Sequence, residues 1–175
     1  FGINKDEPDK IAGLVKLLGL DYVVLTSVCR DDLSDGGAQV FARTIKAVRG
    51  INKNTKVEVL IPDFRGKIDS LQCILDARPD CLAHNLETVP RLYPRLRPQA
   101  DYRRSLEVLK NSKKLKLEIR TKSSIMLGLG EEKNEVIAAM QDLKSNNCDY
   151  LTLGQYLSPS PAHYPVKRFI DIEEF

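Results

Sequence analysis

Chemically active side chains, accompanied by one proline and two glycines, occur at five points of the sequence, each directly after an apolar stretch. They include hydroxyls, carboxylates, amides, cations and an imidazole, so they offer hydrogen-bond donors, acceptors and both signs of charge. Few of them titrate near neutral pH, so the set contains few obvious general acids or bases. The five groups are Thr26, Ser27, Cys29, Arg30, Asp31 and Asp32; Pro62, Asp63 and Arg65; His84, Asn85 and Glu87; Lys122, Ser123, Ser124, Gly128, Gly130 and Glu131; and Gln155, Tyr156, Ser158 and Ser160.

The apolar stretches before these groups have the composition of β-strands, and helical patterns separate them. Strands are predicted at 22–28, 56–61, 81–86, 117–127 and 150–157. Helices are predicted at 6–18, 38–49, 69–78, 102–114 and 134–146, and the stretch "ETVPRLYPRLRPQAD" is predicted to be a loop. Such alternation implies parallel strands whose carboxyl ends lie on one face. We therefore predict an α/β fold in which the five polar groups line one mouth.

Helical spacing also predicts which side chains face the core. In the first, second and last helices these are Ile11, Leu14, Val15 and Leu18; Phe41, Thr44, Ile45 and Val48; and Val136, Ile137, Met140 and Leu143. The Gly-x-Gly fingerprint of dinucleotide-binding folds is absent after the first strand, which argues against a Rossmann fold. An incomplete or open barrel is the better interpretation.

The composition is that of an ordinary globular domain. Of the 175 residues, 42% are apolar and 29% are charged, and the formal net charge of +3 is too small to indicate nucleic-acid binding. The sequence contains no run long enough to span a membrane and no signal-peptide pattern. The four cysteines lack metal-ligand spacing and are expected to be separate reduced thiols. Because the first residue is Phe1 rather than Met, we expect a piece of a longer protein, with residues 1–175 forming one domain.

Each motif taken alone has an ordinary structural alternative. The "DGGA" turn either offers amides to an anion or is only a turn, and His84 is either a site residue or a buried structural histidine. The polar residues at 30–32 are either part of the site or a solvated loop network. Five arginines either grip a phosphate or an acidic partner, or are simply solvated. They are Arg91, Arg95, Arg97, Arg103 and Arg104.

Taken together, six stretches closely resemble the lipoyl synthase family of radical S-adenosylmethionine (SAM) enzymes. They are "TSVCRDDLSDGGA", "EVLIPDFRG", "HNLETVPRLYPRLRPQADYRRSL", "TKSSIMLGLGE", "LTLGQYLSPS" and "HYPVKRFIDIEEF". The resemblance runs from about residue 6 to residue 175, in the family's order and with nearly ungapped spacing. Two alternatives stay open. One is another radical SAM enzyme such as a biotin synthase relative, and the other is a cluster-free barrel that binds a carrier protein or an anion through its arginines.

The resemblance implies a partial (βα)6 barrel of the radical SAM type, with the first strand and both terminal extensions outside this sequence. In the family, a reduced [4Fe-4S] cluster cleaves SAM, and the resulting radical removes hydrogen from C6 and C8 of a protein-bound octanoyl chain. A second [4Fe-4S] cluster supplies the two sulfur atoms. The implied partners are octanoylated lipoyl-carrier domains or the glycine-cleavage H protein, and an electron donor such as ferredoxin or flavodoxin. The implied compartment is the bacterial cytoplasm, or the mitochondrial or plastid matrix in a eukaryote.

By position, the resemblance also assigns site residues. The residues that it implies for SAM binding are Thr26, Ser27, Val28, Asn85, Glu87, Lys122, Ser124, Met126, Gly128, Glu131, Gln155, Tyr156 and Leu157. A buried set of Arg30, Asp31 and Asp32, together with His84, would face the substrate. No catalytic acid or base and no metal ligand is assigned within the sequence. The cluster-binding cysteines are expected upstream of residue 1 and an Arg-Ser-Ser segment beyond residue 175, so the isolated chain is expected to be inactive.

Two positions depart from the family's pattern. Cys29 stands where the family usually has Asp or Asn, and Ala83 stands where a polar residue commonly precedes the histidine. We do not assign Cys29 as a cluster ligand, because one thiolate without partners at ligand spacing does not make an iron–sulfur site.

Overall fold

The computed structural model describes residues 2–175. In that part of the chain, five parallel strands form a sheet in the order β1-β2-β3-β4-β5. The strands are β1 (Tyr22–Thr26), β2 (Lys56–Leu60), β3 (Cys81–Ala83), β4 (Arg120–Leu127) and β5 (Tyr150–Gln155). The helices are α1 (Glu7–Leu17), α2 (Ala38–Ile51), α3 (Ile68–Asp76), α4 (Tyr93–Leu96), α5 (Tyr102–Leu115) and α6 (Lys133–Ser145). Short 3-10 helices lie at Phe64–Gly66, Pro90–Leu92 and Ile172–Glu174.

The two faces of the sheet differ, as strand alternation requires. Val57, Val59 and Leu82 point to one face and are fully buried in the main core. The helices also contribute to this core, for example through Ile45 of α2 and Leu109 of α5. A doubly wound fold places helices on both faces of its sheet, whereas here they share one layer with the core. The opposite face is therefore the inside of an open barrel, as the sequence indicated.

Local capping signals set several helix boundaries. Asp101 accepts a hydrogen bond from the Arg104 amide at 2.7 Å and caps α5. Glu132 and Glu135 form a reciprocal capping box at the start of α6. Within residues 2–175, no helix is long and apolar enough to cross a membrane.

The predicted elements are confirmed, but several details of the prediction are wrong. The first, third and fifth strands end before residues 28, 86 and 157, because the chain turns into polar loops at the mouth. The predicted arginine and proline loop contains Pro90–Leu92 and α4, each with proline in its first turn, where its missing N–H costs nothing.

The predicted core faces are right for α2 and partly wrong for α1 and α6. All four of the residues predicted for α2 are buried. In α1, however, Leu14 and Leu18 are exposed, while Ala12 packs into the core instead. In α6, Ile137 and Met140 are exposed, because the helix turns Ala139 and Leu143 towards the core. Helical spacing gives a stripe but not the rotation of the helix about its axis, which its packing partners decide.

Candidate functional site

The carboxyl ends of β1, β2 and β3 open into one cleft of about 1040 Å³. Its lining includes Thr26 at the end of β1 and Ser27 just after it, Asp63 after β2, and Asn85 and Glu87 after β3. Residues 96–100, which precede α5, and Arg104 in its first turn also line the cleft. Three of the five predicted polar groups therefore meet in this cleft, and parallel strand direction is the reason.

The ends of β4 and β5 adjoin the same mouth through backbone hydrogen bonds. The Glu87 amide donates to the Ser124 carbonyl at 2.9 Å, and the Met126 amide donates to the Glu87 carbonyl at 2.9 Å. The Tyr156 amide in turn donates to the Leu127 carbonyl at 2.8 Å. These bonds fix the position of the last two groups relative to the cleft.

Most charges on the cleft wall are neutralised by ion pairs. Arg65 pairs with Asp31 at 3.0 Å, and Arg104 pairs with Asp63 at 2.5 Å. Burial acts to raise the pKa of the Asp63 carboxyl, but the Arg65 amide and the Arg104 guanidinium outweigh it and hold that pKa below its usual value. The Glu87 carboxylate forms no ion pair within residues 2–175. Glu87 is thus a carboxylate in the cleft that is available to accept from a cation or from hydroxyl groups.

Glu87 occupies an uncommon backbone conformation. Its φ is +66°, and the Thr88 amide donates to the Leu86 carbonyl at 2.8 Å, which closes a three-residue γ-turn around Glu87. A positive φ in a residue with a side chain costs of order 1–3 kcal/mol and is found preferentially at functional sites. Hydrogen bonds from β4 on both sides keep the turn in place. The sequence predicted Glu87 as a site residue but gave no signal of this conformation.

The arginine cluster is engaged largely within the protein rather than left open to solvent. Arg91 forms a bidentate pair with Glu135 at 2.7 Å, and Arg104 pairs with Asp63. Arg95 lies over the ring of Tyr164, with 4.8 Å from Cζ to the ring centroid. The Arg97 Nη1 group donates to the carbonyls of Asn85 and Leu86 and to the Tyr93 hydroxyl at 3.1–3.2 Å. This arrangement does not favour an anion-binding module built on the arginine loop.

The glycine-rich turn after β4 is closed by its own glutamate. The Glu131 carboxylate accepts the amides of Gly128 at 2.6 Å and Leu129 at 2.8 Å. Gly128 has a φ of +98°, and a Cβ there would collide with the Arg168 carbonyl oxygen and the Gln155 side-chain nitrogen. The conformation and the close approach both require glycine at this position.

Residues 164–170, which we call the strap, lie against the ends of β4 and β5. The Gln155 side chain donates to the Arg168 carbonyl at 3.2 Å and accepts the Ile170 amide at 2.8 Å. The Tyr156 hydroxyl donates to the Tyr164 carbonyl at 2.8 Å, whereas Leu157 is exposed. The side chains of Gln155 and Tyr156 therefore hold the strap, and a ligand at this end of the mouth would meet backbone groups.

The structure gives His84 a structural environment. Its ring is buried, with Nδ1 2.8 Å from the Ile61 carbonyl oxygen and Nε2 3.0 Å from the Ser105 hydroxyl. Because the carbonyl can only accept, Nδ1 donates, and Nε2 of the neutral ring accepts from Ser105. Burial lowers the pKa of His84 below its ordinary value, which keeps the ring neutral. Both ring nitrogens have protein partners, so the structural alternative is favoured over substrate contact.

The prediction that residues 30–32 form a buried set is wrong. Arg30 forms a bidentate pair with Asp32 at 2.7–2.8 Å, but the side chains of Asp31 and Asp32 are both more than half exposed. The hydrogen bond from Arg30 lowers the pKa of Asp32 to about 2. Of the three, Asp31 lines the cleft described above. The loop stays open to water because it projects beyond the end of β1.

The inner face of the barrel carries a polar network that the sequence did not reveal. Glu58 of β2 is only 3% exposed, yet it accepts a hydrogen bond from the Tyr22 hydroxyl at 2.5 Å and pairs with Lys122 at 3.0 Å. Burial and the hydrogen bond to Glu58 raise the pKa of Tyr22 above its ordinary value. Burial, with the nearby Glu58 carboxylate, also raises the pKa of the Cys81 thiol to about 12. Lys122 is thus placed on Glu58, rather than free for the ligand contact that was predicted.

No group of three or more potential ligands that could hold a metal ion occurs within residues 2–175. The four cysteines are free thiols, and Cys29 is exposed. The donor set of the cleft instead fits a polar organic ligand, because hydroxyls, amides and the unpaired Glu87 carboxylate line one wall.

The comparisons with known proteins agree with this architecture. The family description "Radical SAM superfamily" matches residues 2–143. Methylornithine synthase superposes on 98% of the chain with a TM-score of 0.72 at 16% identity, and the chain covers 49% of that structure. The hydrogenase maturase HydG superposes on 99% with a TM-score of 0.78 at 13% identity, and 41% of it is covered. The chain belongs to the radical SAM superfamily, and its fold is a partial radical SAM barrel. Membership implies SAM and a [4Fe-4S] cluster as cofactors.

In sequence, the chain is similar to the lipoyl synthases of two bacteria. The lipoyl synthase of Caldicellulosiruptor saccharolyticus is 56% identical over 168 residues, which is 96% of the chain and 59% of that protein. The lipoyl synthase of Alkaliphilus metalliredigens is 52% identical over 173 residues, which is 99% of the chain and 60% of that protein. The chain thus spans about 60% of the length of these curated relatives.

Proposed function

We propose that this chain is the barrel portion of a lipoyl synthase, which inserts two sulfur atoms at C6 and C8 of a protein-bound octanoyl group. The observation that carries the proposal is the 52–56% identity to lipoyl synthases over 96–99% of the chain. We treat residues 1–175 as a single barrel domain of that enzyme. The proposed carriers are octanoylated lipoyl domains or the glycine-cleavage H protein, with ferredoxin or flavodoxin as electron donor.

The cleft is the proposed SAM site. We infer that the strand end at 26–28 holds the ammonium group of SAM through oxygen acceptors, since a primary ammonium has three N–H donors. Asn85 and Glu87 would bind the ribose hydroxyls or the methionine end. The cleft keeps charges of both signs close together, which suits a ligand that carries an ammonium, a sulfonium and a carboxylate. When bound, SAM and a reduced cluster supply the radical that removes hydrogen from the substrate.

The adenine side of the proposed site lies at the ends of β4 and β5. Here the main chain at 155–157 would hydrogen-bond the adenine edge, and Ser124 and Met126 would lie beside the base. Gly128 and Glu131 shape the turn that supports this contact. Lys122 would have to leave Glu58 to reach the methionine carboxylate.

The substrate side and the clusters complete the proposal. Asp31, with the paired Arg30 and Asp32, would guide the octanoyl carrier at the rim, while His84 would support the wall from behind. We propose that ligands for two [4Fe-4S] clusters come from polypeptide other than residues 1–175. In a bacterium the enzyme would be cytoplasmic, and in a eukaryote it would lie in the mitochondrial or plastid matrix.

The test uses the complete gene product, reconstituted with iron and sulfide without oxygen. We expect a brown iron–sulfur absorption band, formation of 5′-deoxyadenosine on reduction with SAM, and a mass gain of two sulfur atoms on an octanoyl-lysine peptide. Sulfur transfer to dethiobiotin instead of the octanoyl peptide would identify a biotin synthase relative. Absence of both the band and SAM cleavage would refute the radical SAM reaction for this protein.

A variant separates the proposed SAM site from a folding role. Glu87→Ala should weaken SAM binding, measured by anaerobic equilibrium dialysis, while the iron content of the reconstituted protein stays at the wild-type level. Loss of the cluster with the variant would show that Glu87 is a folding residue rather than a ligand-binding one.

A further inference from the structure

The carbonyl group of Leu86 is the most heavily bonded acceptor at the mouth. It accepts the Thr88 amide at 2.8 Å, the Tyr93 hydroxyl at 2.7 Å and the Arg97 Nη1 group at 3.1 Å. A carbonyl oxygen has two lone pairs, so three donors exceed its ordinary share. This carbonyl is also the acceptor that closes the γ-turn around Glu87.

The turn needs outside support because its central residue is not glycine. Without restraint, a glutamate at a φ of +66° relaxes towards negative φ, which would rotate both adjoining peptide groups. Rotating the Leu86 peptide would break the bonds from Tyr93 and Arg97 together. The hydrogen bonds between Glu87 and β4 hold the other side of the turn.

Tyr93 and Arg97 are themselves fixed in place. The Arg97 guanidinium lies 5.3 Å from the centroid of the Tyr93 ring and donates to its hydroxyl at 3.1 Å. The Tyr93 ring is buried and meets the Tyr102 ring edge-on, with 5.4 Å between the centroids. Tyr93 is therefore anchored to α5 through Tyr102, and Arg97 is anchored to Tyr93, independently of any ligand.

We propose that Arg97 and Tyr93 are positioning residues that hold Glu87 in its strained turn and so direct its carboxylate into the cleft. The inference rests on the proposed function, because it takes SAM as the ligand of Glu87. Arg97 acts through Glu87 and not by touching the ligand. The Arg97 guanidinium is charged and donates to neutral oxygens, so these hydrogen bonds are stronger than those between two neutral groups.

The test measures SAM dissociation constants in the complete, reconstituted gene product. Losing a charge-assisted hydrogen bond at the turn should weaken SAM binding by roughly tenfold in Arg97→Gln. Tyr93→Phe keeps the ring contacts and should weaken binding in the same direction, while Arg97→Lys should recover part of the loss. Arg103→Gln alters an exposed arginine close by on α5 and should bind SAM like the wild type.

A double-mutant cycle separates positioning from direct contact. Arg97→Gln should add little to the loss already caused by Glu87→Ala, because both changes remove the same ligand contact. Additive losses would overturn the inference, since Arg97 would then act on the ligand or elsewhere. Wild-type affinity in both Tyr93→Phe and Arg97→Gln would also overturn it. If the wild-type protein with intact clusters fails to bind SAM, the proposed function is refuted and the inference with it.

Discussion

Replacing Gly128 by alanine is expected to loosen the strap from the ends of β4 and β5. The new methyl group would collide with the Arg168 carbonyl oxygen and the Gln155 side-chain nitrogen, neither of which is a flexible chain end free to move away. Gln155 is tied to the strap at both its oxygen and its nitrogen, so displacing it breaks hydrogen bonds on each. The alanine must also adopt a φ of +98°.

The magnitude follows from these two effects. A side chain at positive φ costs about 1–2 kcal/mol, and each hydrogen bond lost from the Gln155 side chain costs about 0.5–1.5 kcal/mol. The variant should therefore be roughly 2–5 kcal/mol less stable than the wild type. Gly13→Ala is the matched control, because Gly13 lies inside α1 with nothing within 4 Å of its added Cβ. That change should be slightly stabilising, by about 0.5–1 kcal/mol.

The assay compares the urea midpoints of the three proteins and the hydrogen exchange of the strap amides. In Gly128→Ala, the amides of Lys167 and Ile170 should lose protection, because they donate to Gly128 and Gln155 in the wild type. Hydrogen-exchange protection in α2 should be unchanged, because α2 connects β1 and β2 at the other end of the sheet from β4 and β5. If Gly128→Ala is as stable as Gly13→Ala, or if the strap amides stay protected, the role assigned to Gly128 is refuted.

Three further outcomes are expected. Lys122→Met leaves Glu58 buried without its cation and should cost about 3–5 kcal/mol in a urea titration, a loss that adding Glu58→Gln should partly reverse. Burial acts to raise the pKa of Asp149, but an ion pair with a lysine and hydrogen bonds outweigh it and lower that pKa. The stability that Asp149 contributes is therefore present above its ordinary pKa and is lost as the pH falls through the lowered value. Asp149→Asn should flatten the acid limb of the profile of unfolding free energy against pH. Cys81, with a pKa of about 12, should resist iodoacetamide at pH values near 8 in the native protein, whereas the exposed Cys29 should react. Labelling of the two cysteines is read by peptide mass spectrometry. Equal labelling of both would contradict the burial of Cys81.

Much of the barrel could be predicted because its signals are local. The alternation of apolar strands with helical stripes fixes the order of the elements, and parallel strand direction then brings residues such as Thr26 and Asn85 to one mouth. The four inward residues of α2 followed from helical spacing alone. Family membership was also legible, since short motifs in a fixed order do not depend on knowing the fold.

Other features depend on partners that are distant in the chain. In the sequence, Glu58 looks like an ordinary solvent-exposed charge on a strand. Only the curvature of the sheet brings Lys122, 64 residues further on, against it. The arginines of the loop look alike in the sequence, yet their partners range from a carboxylate to a tyrosine ring.

The sequence by itself determined the set of helices and strands, the face on which the polar groups lie, and the superfamily to which the chain belongs. Only the tertiary structure decided that His84 is a wall residue, that Gln155 holds the strap, and that Glu87 sits in a strained turn. The physical reason is that periodicity and turn chemistry are encoded within a few neighbouring residues. A side chain's final partner and a residue's φ are instead set by contacts made only after distant segments have packed together.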